Sequence, residues 1–357
     1  NRYYALFGYW PALEPSSPQE CKDFTKEAFD LSEKFELAVM IHTVTRISHS
    51  RGEVTLGSIK EERNKANYVK DTSRYALLPA NARKRRTALL RKFDEVRKYS
   101  EETSLTRIVN EGTEEKTGII TSGVSFNYVM DSLNMLSVRL PVMKLGMINP
   151  LPEKRLTEFL SQFERIVVVE ELEPFLETQV AALASRAGIA VDVFGKHSRH
   201  IPVEGELSVG KVAKAISKII GKPLSSNLAE VEKRSMDASE LLPVRPPVLC
   251  PGCPHRASFY AIKMATGGKA IFGSDIGCYS LGILPPQEVV DYLICMGSGV
   301  GLSNGISHFV DQPVIVTVGD STFFHASIPG LINAVYNGAK FVLIVLDNLV
   351  TALTGHQ

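Results

Sequence analysis

No run of apolar residues in this 357-residue chain is long enough to cross a bilayer, so a helical membrane protein is excluded. An excess of one charge is also missing. Forty Lys and Arg face 39 Asp and Glu, and the net charge of +1 argues against a general nucleic-acid or membrane-surface role. Cysteine is scarce: five, an odd number, is too few for a disulfide scaffold and fits a reducing, cytoplasmic compartment. No secretory signal pattern opens the sequence. It starts at Asn1 without Met and stops at Gly355-His356-Gln357, so it is expected to be a piece of a longer polypeptide.

What is present is an ordinary globular composition, 44% apolar and 22% charged, with length for two or three cores. Residues 1–58 read as the end of an α/β domain. Phe24, Ala28, Leu31 and Phe35 have helical spacing after a Ser16-Ser17-Pro18 start signal, and Leu37–Val44 reads as a buried strand. Residues 59–112 turn basic around Arg83-Lys84-Arg85-Arg86, with a charged helix expected over Thr87–Tyr99. This stretch is read as a linker whose cations are a solvated face, or else hold a phosphate-bearing ligand or an acidic partner.

Residues 113–223 alternate strands and helices. Strands are expected at Thr117–Ser122, Val142–Leu145, Arg165–Glu171 and Val191–Phe194, with helices between them at Ser125–Leu136, Pro152–Gln162 and Glu177–Ala187. The alternation predicts a parallel sheet covered on both faces. A linker is expected over 224–247, ending in Pro243, Pro246 and Pro247, and a second α/β domain over 248–357. The fold class is therefore α/β, with several doubly wound parallel-sheet domains.

The last block holds the chemistry. The β-branched run Val314–Val318 leads into Gly319-Asp320-Ser321, and a helix follows over Ala326–Asn337. Asp320 thus ends a parallel strand just before a helix N-terminus, where open α/β sheets bind ligands and free N–H groups favour phosphate. A second strand, Phe341–Leu346, ends in Asp347-Asn348. Asp320 and Asn348 can then offer two oxygens to one hard cation such as magnesium. The run Met296-Gly297-Ser298-Gly299-Val300-Gly301-Leu302 reads as a helix of small residues packed on the sheet. A dinucleotide fingerprint fits worse, because this run precedes the clearest strand.

Cys250-Pro251-Gly252-Cys253-Pro254-His255-Arg256 and, later, Gly277-Cys278 allow several readings. Zinc wants a second Cys or His pair. A redox CxxC should follow a strand and open a helix. An iron–sulfur cluster needs a fourth ligand beside Cys250, Cys253 and Cys278, supplied by Cys295 or from beyond Gln357. Buried thiols lining a pocket are the remaining reading. His308 and His325 read as ordinary helix or loop residues.

Together, the glycine-rich run, Gly319-Asp320-Ser321 and Asp347-Asn348 resemble the diphosphate-binding domain of thiamine diphosphate enzymes. With the cysteine motif, Asp275–Gly282, Gly319–His325 and Thr351–Gln357, the chain resembles the 2-oxoacid:ferredoxin oxidoreductases, in particular the α subunits acting on indolepyruvate-like aryl substrates. Glu14-Pro15-Ser16, Thr45–Ser50 and Glu53-Val54 extend the resemblance over essentially the whole chain. It implies a C-terminal part of a pyrimidine-binding domain at 1–58, a transketolase C-terminal-like domain at 113–223 and a truncated diphosphate-binding domain at 248–357.

The same resemblance implies magnesium on Asp320, Asn348 and the Val350 carbonyl. His255, Cys278, Gly319, Ser321 and Thr322 are implied at thiamine diphosphate, and Leu353 and Thr354 near its thiazolium. Cys250, Cys253 and Cys278 are implied ligands of a [4Fe-4S] cluster. Oxidative decarboxylation to an acyl-CoA, with coenzyme A as co-substrate, a β subunit and ferredoxin as partners in a hetero-oligomer, and an activating Glu outside this chain complete what it implies. Leu353 stands where pyruvate-specific relatives carry a polar Asn, which fits a larger apolar substrate. Arg46, expected with His49 at a strand end, is read as a partner for a substrate or coenzyme anion or as half of a structural ion pair. A non-oxidative thiamine diphosphate decarboxylase or synthase, and a non-catalytic subunit keeping only the fold, are the alternatives.

Overall fold

The computed structural model describes residues 1–59, 68–112, 115–224 and 226–356. They form two compact units, Asn1–Ala238 and Ser239–Gln357.

The first unit opens with α1 (Arg2–Gly8) and the short strand β1 (Ala12–Leu13). Helix α2 (Pro18–Phe35) forms where the apolar spacing predicts it. Ser17 caps it by accepting the Glu20 N–H at 3.2 Å, and Pro18 sits in the first turn, where its missing N–H costs nothing. Phe24, Ala28, Leu31 and Phe35 are its buried face.

The strand expected over 37–44 shrinks to β2 (Met40–Ile41), half-buried at the edge of a small three-stranded sheet beside β1. Only two of its residues find ladder partners, on β1. The chain then turns into α3 (Thr45–Ser48). Arg46 and His49 therefore do not end a strand: one lies on this helical turn and the other terminates it.

The basic stretch is helical, with α4 (Thr72–Tyr75) capped by Asp71 and α5 (Pro79–Glu102) longer than the expected 87–99. Its segment 60–67 lies outside the described residues. Strand β3 (Arg107–Val109) was not expected, since three residues carry no readable period.

The main sheet follows: β4 (Thr117–Ser122), α6 (Ser125–Leu136), β5 (Val142–Leu145), β6 (Met147–Asn149, which joins β1 instead), α7 (Glu153–Leu160), β7 (Arg165–Val169), α8 (Phe175–Ala187), β8 (Asp192–Phe194) and α9 (Val209–Ile220). Its order is β3-β5-β4-β7-β8, parallel except for the edge strand β3. Side-chain alternation splits the strands between two cores. Ile120, Met143, Ile166 and Val168 enter one, with residues of α7 and α8. Ile119, Val142, Val167 and Val169 enter the other, with residues of α6 and α9. This is the doubly covered parallel sheet that the alternation predicts. Each fully buried valine or isoleucine contributes about 1.5–3 kcal/mol of transfer free energy. The stretch 224–247, expected to be a linker, holds α10 (Ser226–Glu240), and the boundary between the units falls inside it.

The second unit comprises α11 (Pro254–Thr266), β9 (Ile271–Gly273), the glycine-rich α12 (Ser298–Ile306), β10 (Val314–Gly319), α13 (Asp320–Thr322), a π-turn (Phe323–Ser327), α14 (Ile328–Tyr336) and β11 (Val342–Leu346). Its three strands are all parallel, with β10 central and wholly buried. Right-handed crossovers keep consecutive parallel strands adjacent. The helix expected from Ala326 instead begins at Asp320, directly on the strand end. No described helix is long and apolar enough to cross a membrane.

Candidate functional site

The register of the two last strands builds the site. Gly319 pairs with Leu346, so Asp320 and Asp347 leave the sheet side by side. The loops are then tied together. Asp320 Oδ2 accepts the Leu349 N–H at 3.1 Å and Oδ1 accepts the Ser321 N–H at 2.7 Å. Asp347 Oδ1 shares the Leu349 N–H at 3.1 Å, and Asn348 Oδ1 accepts from Val350 N at 3.3 Å. Leu349 adopts a left-handed conformation, φ 56°, which turns the backbone so that this N–H faces Asp320. A carboxylate has about four acceptor sites, so Asp320 keeps lone pairs for a further donor or a cation.

Gly319 is required by contact. A Cβ there would lie 2.6 Å from Tyr279 Cε1, inside any ordinary van der Waals separation. The Tyr279 ring is buried, and its hydroxyl donates to the Ile276 carbonyl (3.1 Å) and lies within hydrogen-bond distance of Thr322 Oγ1 (3.3 Å). Burial pushes its phenol pKa up, which keeps it a neutral donor. Tyr279 thus links the Ile276–Tyr279 segment to the helix that starts at Asp320.

These residues wall a cavity of about 200 Å3. His255, Cys278, Gly319, Asp320, Ser321, Thr322, Asn348, Val350, Leu353 and Thr354, all singled out in the sequence, line it together. Ile276, Gly277, Tyr279 and Met296 line it too and were given no role of their own, although the first three lie inside the Asp275–Gly282 segment and Met296 opens the glycine-rich run. His255 occupies the first turn of α11 behind Pro254 and is almost wholly buried. Burial lowers its pKa, and the Asp320 carboxylate pulls the other way. The imidazole is therefore disposed to be neutral, one nitrogen donating and the other accepting.

Cys250 and Cys253 lie outside the cavity wall. Cys253 is the residue before α11, and Cys250 is exposed one turn earlier. Burial raises the Cys278 thiol pKa, and Cys253 and Cys250 raise it further, so the three sulfurs are electrostatic neighbours. Among the described residues, no group of three or more His, Cys, Asp or Glu could hold a metal ion.

One carboxylate of the Asp275–Gly282 segment was given no role in the sequence. Asp275 follows β9 and is fully buried. Its Oδ1 accepts the Gly299 N–H at 2.7 Å, pinning the start of α12, while Oδ2 has no partner. Burial accordingly raises its pKa. Gly299 packs so closely that a Cβ would lie 2.8 Å from the Ser274 carbonyl. Gly297 is equally tight against Ala326 of the π-turn, at 2.8 Å. The glycine-rich run is a close-packed helix, as its composition predicts. The segment Asp275–Gly282 was marked in the sequence, but nothing local in it shows that Asp275 caps a glycine-rich helix.

Arg46 belongs to the other unit and is not free. Its Nε and Nη2 hold both oxygens of Glu206 at 2.6 and 2.7 Å, the structural ion pair of the two readings. His49, His308 and His325 are exposed, the last in the π-turn. In the same unit Arg2 bridges Glu14 (2.9 Å) and Glu170 (2.8 Å), all three buried. Burial alone would push the Glu14 carboxyl up, but Arg2, His42 and Ser122 hold it at about 2.

Comparison with known proteins gives this geometry its context. Residues 275–357 match the model of the thiamine pyrophosphate enzyme C-terminal TPP-binding domain, the segment holding Asp275, the Asp320 turn and the 347–354 loop. Indolepyruvate oxidoreductase subunit IorA from Archaeoglobus fulgidus is 45% identical over the full chain and 57% of its own length. The IorA subunits of Methanothermobacter thermautotrophicus (45%, 57% of its length) and Thermococcus kodakarensis (41%, 58%) also match across the full chain. This chain is a relative of the IorA subunits. It spans about 57% of the length of the curated relatives it matches. Among solved structures, a Magnetococcus marinus 2-oxoglutarate:ferredoxin oxidoreductase is similar with TM-score 0.42 and 13% identity, over 59% of this chain and 42% of that one.

Proposed function

We propose that this chain supplies the diphosphate half of a thiamine diphosphate site in an oxidoreductase that converts aryl 2-oxo acids, indolepyruvate-like, to acyl-CoA. The observation that carries the reading is the junction of Asp320 with the 347–350 loop at the ends of paired strands. The IorA relatives supply the class of reaction. Asp320, Asn348 and the Val350 carbonyl are the proposed magnesium ligands, all hard oxygens bordering one cavity, which is the donor set magnesium takes beside phosphate and water. Ser321 and Thr322 supply hydroxyls to phosphate oxygens at a helix start. When bound, thiamine diphosphate supplies the carbanion chemistry of decarboxylation.

The chain's own residues bind and orient. Neutral His255 is available to donate or accept at the cavity floor without adding a cation beside the metal. Tyr279 fixes the cavity wall through Thr322. Leu353 and Thr354 form the proposed thiazolium side, and Leu353, 55% exposed, offers apolar surface to an aryl substrate. Cys250, Cys253 and Cys278 are the proposed iron–sulfur ligands. A [4Fe-4S] cluster takes four ligands, and no group of three or more such side chains among the described residues is placed to hold a metal ion, so no electron-transfer step is derived through them. Ferredoxin as acceptor, coenzyme A as co-substrate, a second subunit, the activating Glu outside this chain and a cytoplasmic location belong to the same proposal.

Thermal unfolding of the full-length protein tests it. Thiamine diphosphate with magnesium is expected to raise the melting temperature by mass action, and Asp320→Ala is expected to abolish the rise. No shift in the wild type would defeat the site. Dye-linked oxidation with coenzyme A and the second subunit then ranks indolepyruvate, phenylpyruvate and pyruvate. A preference for pyruvate would defeat the aryl assignment alone.

A further inference from the structure

The cations of α5 are segregated by position. Arg83, Lys84, Arg85, Arg86, Arg91 and Lys92 precede any acidic residue of the helix, the first being Asp94. Its ion pairs sit at the other end: Lys92–Glu36, Arg97–Asp94 and Lys98–Glu95. Arg86 is absorbed by Tyr9, its guanidinium 4.3 Å from the ring centroid and bonded to the hydroxyl at 2.8 Å. Arg83, Lys84, Arg85 and Arg91 are exposed and make no ion pair among the described residues.

This arrangement opposes the helix itself. Like charges three residues apart on a helix, as Arg83 and Arg86 are, repel one another. The first turn of α5 has no acidic residue to compensate, and no i,i+4 Glu or Asp relieves the like charges of Arg83–Arg86. A chain with net charge +1 has concentrated four like charges in the single turn Arg83–Arg86, a repulsion that an anionic neighbour would offset. Apolar surface adjoins it: Leu77 is 76% and Leu78 65% exposed, and Tyr75 is exposed too. Exposed arginines beside an exposed tyrosine match the residue types enriched at protein interfaces, and two exposed leucines add apolar area to cover.

We propose that the N-terminal half of α5, with Leu77 and Leu78, docks an acidic face of the second subunit of the oxidoreductase. The inference rests on reading this chain as one subunit of a multi-subunit enzyme. An acidic protein surface, with side chains that can both pair Arg83–Arg85 and cover the two leucines, fits better than a bare polyanion, which would leave the leucines wet.

The test uses full-length protein and the separately purified second subunit. Arg83→Glu/Lys84→Glu/Arg85→Glu is compared with Lys26→Glu/Lys218→Glu/Lys269→Glu, an equal charge change at scattered exposed lysines. Complex affinity is measured from 50 to 400 mM salt. The α5 variant is expected to weaken the complex at least tenfold at low salt and to flatten its salt dependence, while the scattered variant stays within about twofold. Leu77→Ser/Leu78→Ser, which keeps the charge, should weaken it with the salt slope unchanged. Equal behaviour of the two charge variants overturns the proposal. So does loss of heparin or RNA binding with an intact complex, or destabilisation of the isolated α5 variant with unchanged affinity, which would place the acidic neighbour within the same chain. Thiamine diphosphate-dependent stabilisation, measured on the same samples, reports the site independently of docking.

Discussion

Replacing Gly319 by alanine isolates the contact that shapes the cavity. The new Cβ would stand 2.6 Å from Tyr279 Cε1, whereas ordinary contacts lie near 3.4–4 Å. The ring must therefore retreat by about 1 Å. It is buried, and its hydroxyl is held at both Ile276 and Thr322, so retreat stretches a 3.1 Å and a 3.3 Å hydrogen bond and disturbs the turn after Asp320. Overpacking of this kind costs about 1–3 kcal/mol. Backbone conformation adds little, because Gly319 sits at φ −75°, open to any residue. A double-mutant cycle in urea unfolding separates the two sources. Gly319→Ala should cost about 1–3 kcal/mol beside Tyr279 and close to nothing in a Tyr279→Ala background, since the clash is then gone. The weakened turn should also lower thiamine diphosphate affinity, read by calorimetry. Equal costs in both backgrounds would refute the steric reasoning.

Two further outcomes follow from buried carboxylates. Asp275→Ala removes the acceptor of the Gly299 N–H and should destabilise the second unit by about 1–3 kcal/mol; Asp275→Asn, which keeps an acceptor, should recover part of the loss in the same unfolding assay, and equal losses would show that the hydrogen bond does not matter. Glu14, held at about 2 against 4.5 when unfolded, contributes stability that is fully present above pH 4.5 and lost as pH falls toward 2. The 2.5-unit difference amounts to about 3 kcal/mol. Glu14→Gln should flatten the acid limb of the stability curve over that window, and an unchanged limb would assign acid unfolding elsewhere.

Some of this architecture was legible because it is local. The Ser17-Pro18 start and the 24, 28, 31, 35 spacing are read from neighbouring residues, and α2 forms there. Ile166–Val169 is apolar on both faces because both faces are covered. The strand–turn–helix order at Val314–Ser321 likewise needs only chain-neighbour information, and it put Asp320 at a strand end in advance.

Tertiary structure decided what depends on partners distant in sequence. Leu37–Val44 is apolar and β-branched, yet only Met40 and Ile41 pair, because β1 offers two residues of ladder. Arg46 has the chemistry to grip a ligand anion, but Glu206, 160 residues away, holds it in a bidentate pair through Nε and Nη2. Asp275 lies in a segment marked by the sequence, yet its role could not be read there, since it is fixed by an amide 24 residues on. Sequence alone thus determined which residues could meet a diphosphate and a cation. Only the register of Gly319 against Leu346, and the Leu349 amide turned onto Asp320, decided that those residues line one cavity. Pairing between strands is a long-range choice, set by burial and hydrogen bonding across the sheet rather than by any property of the individual strand.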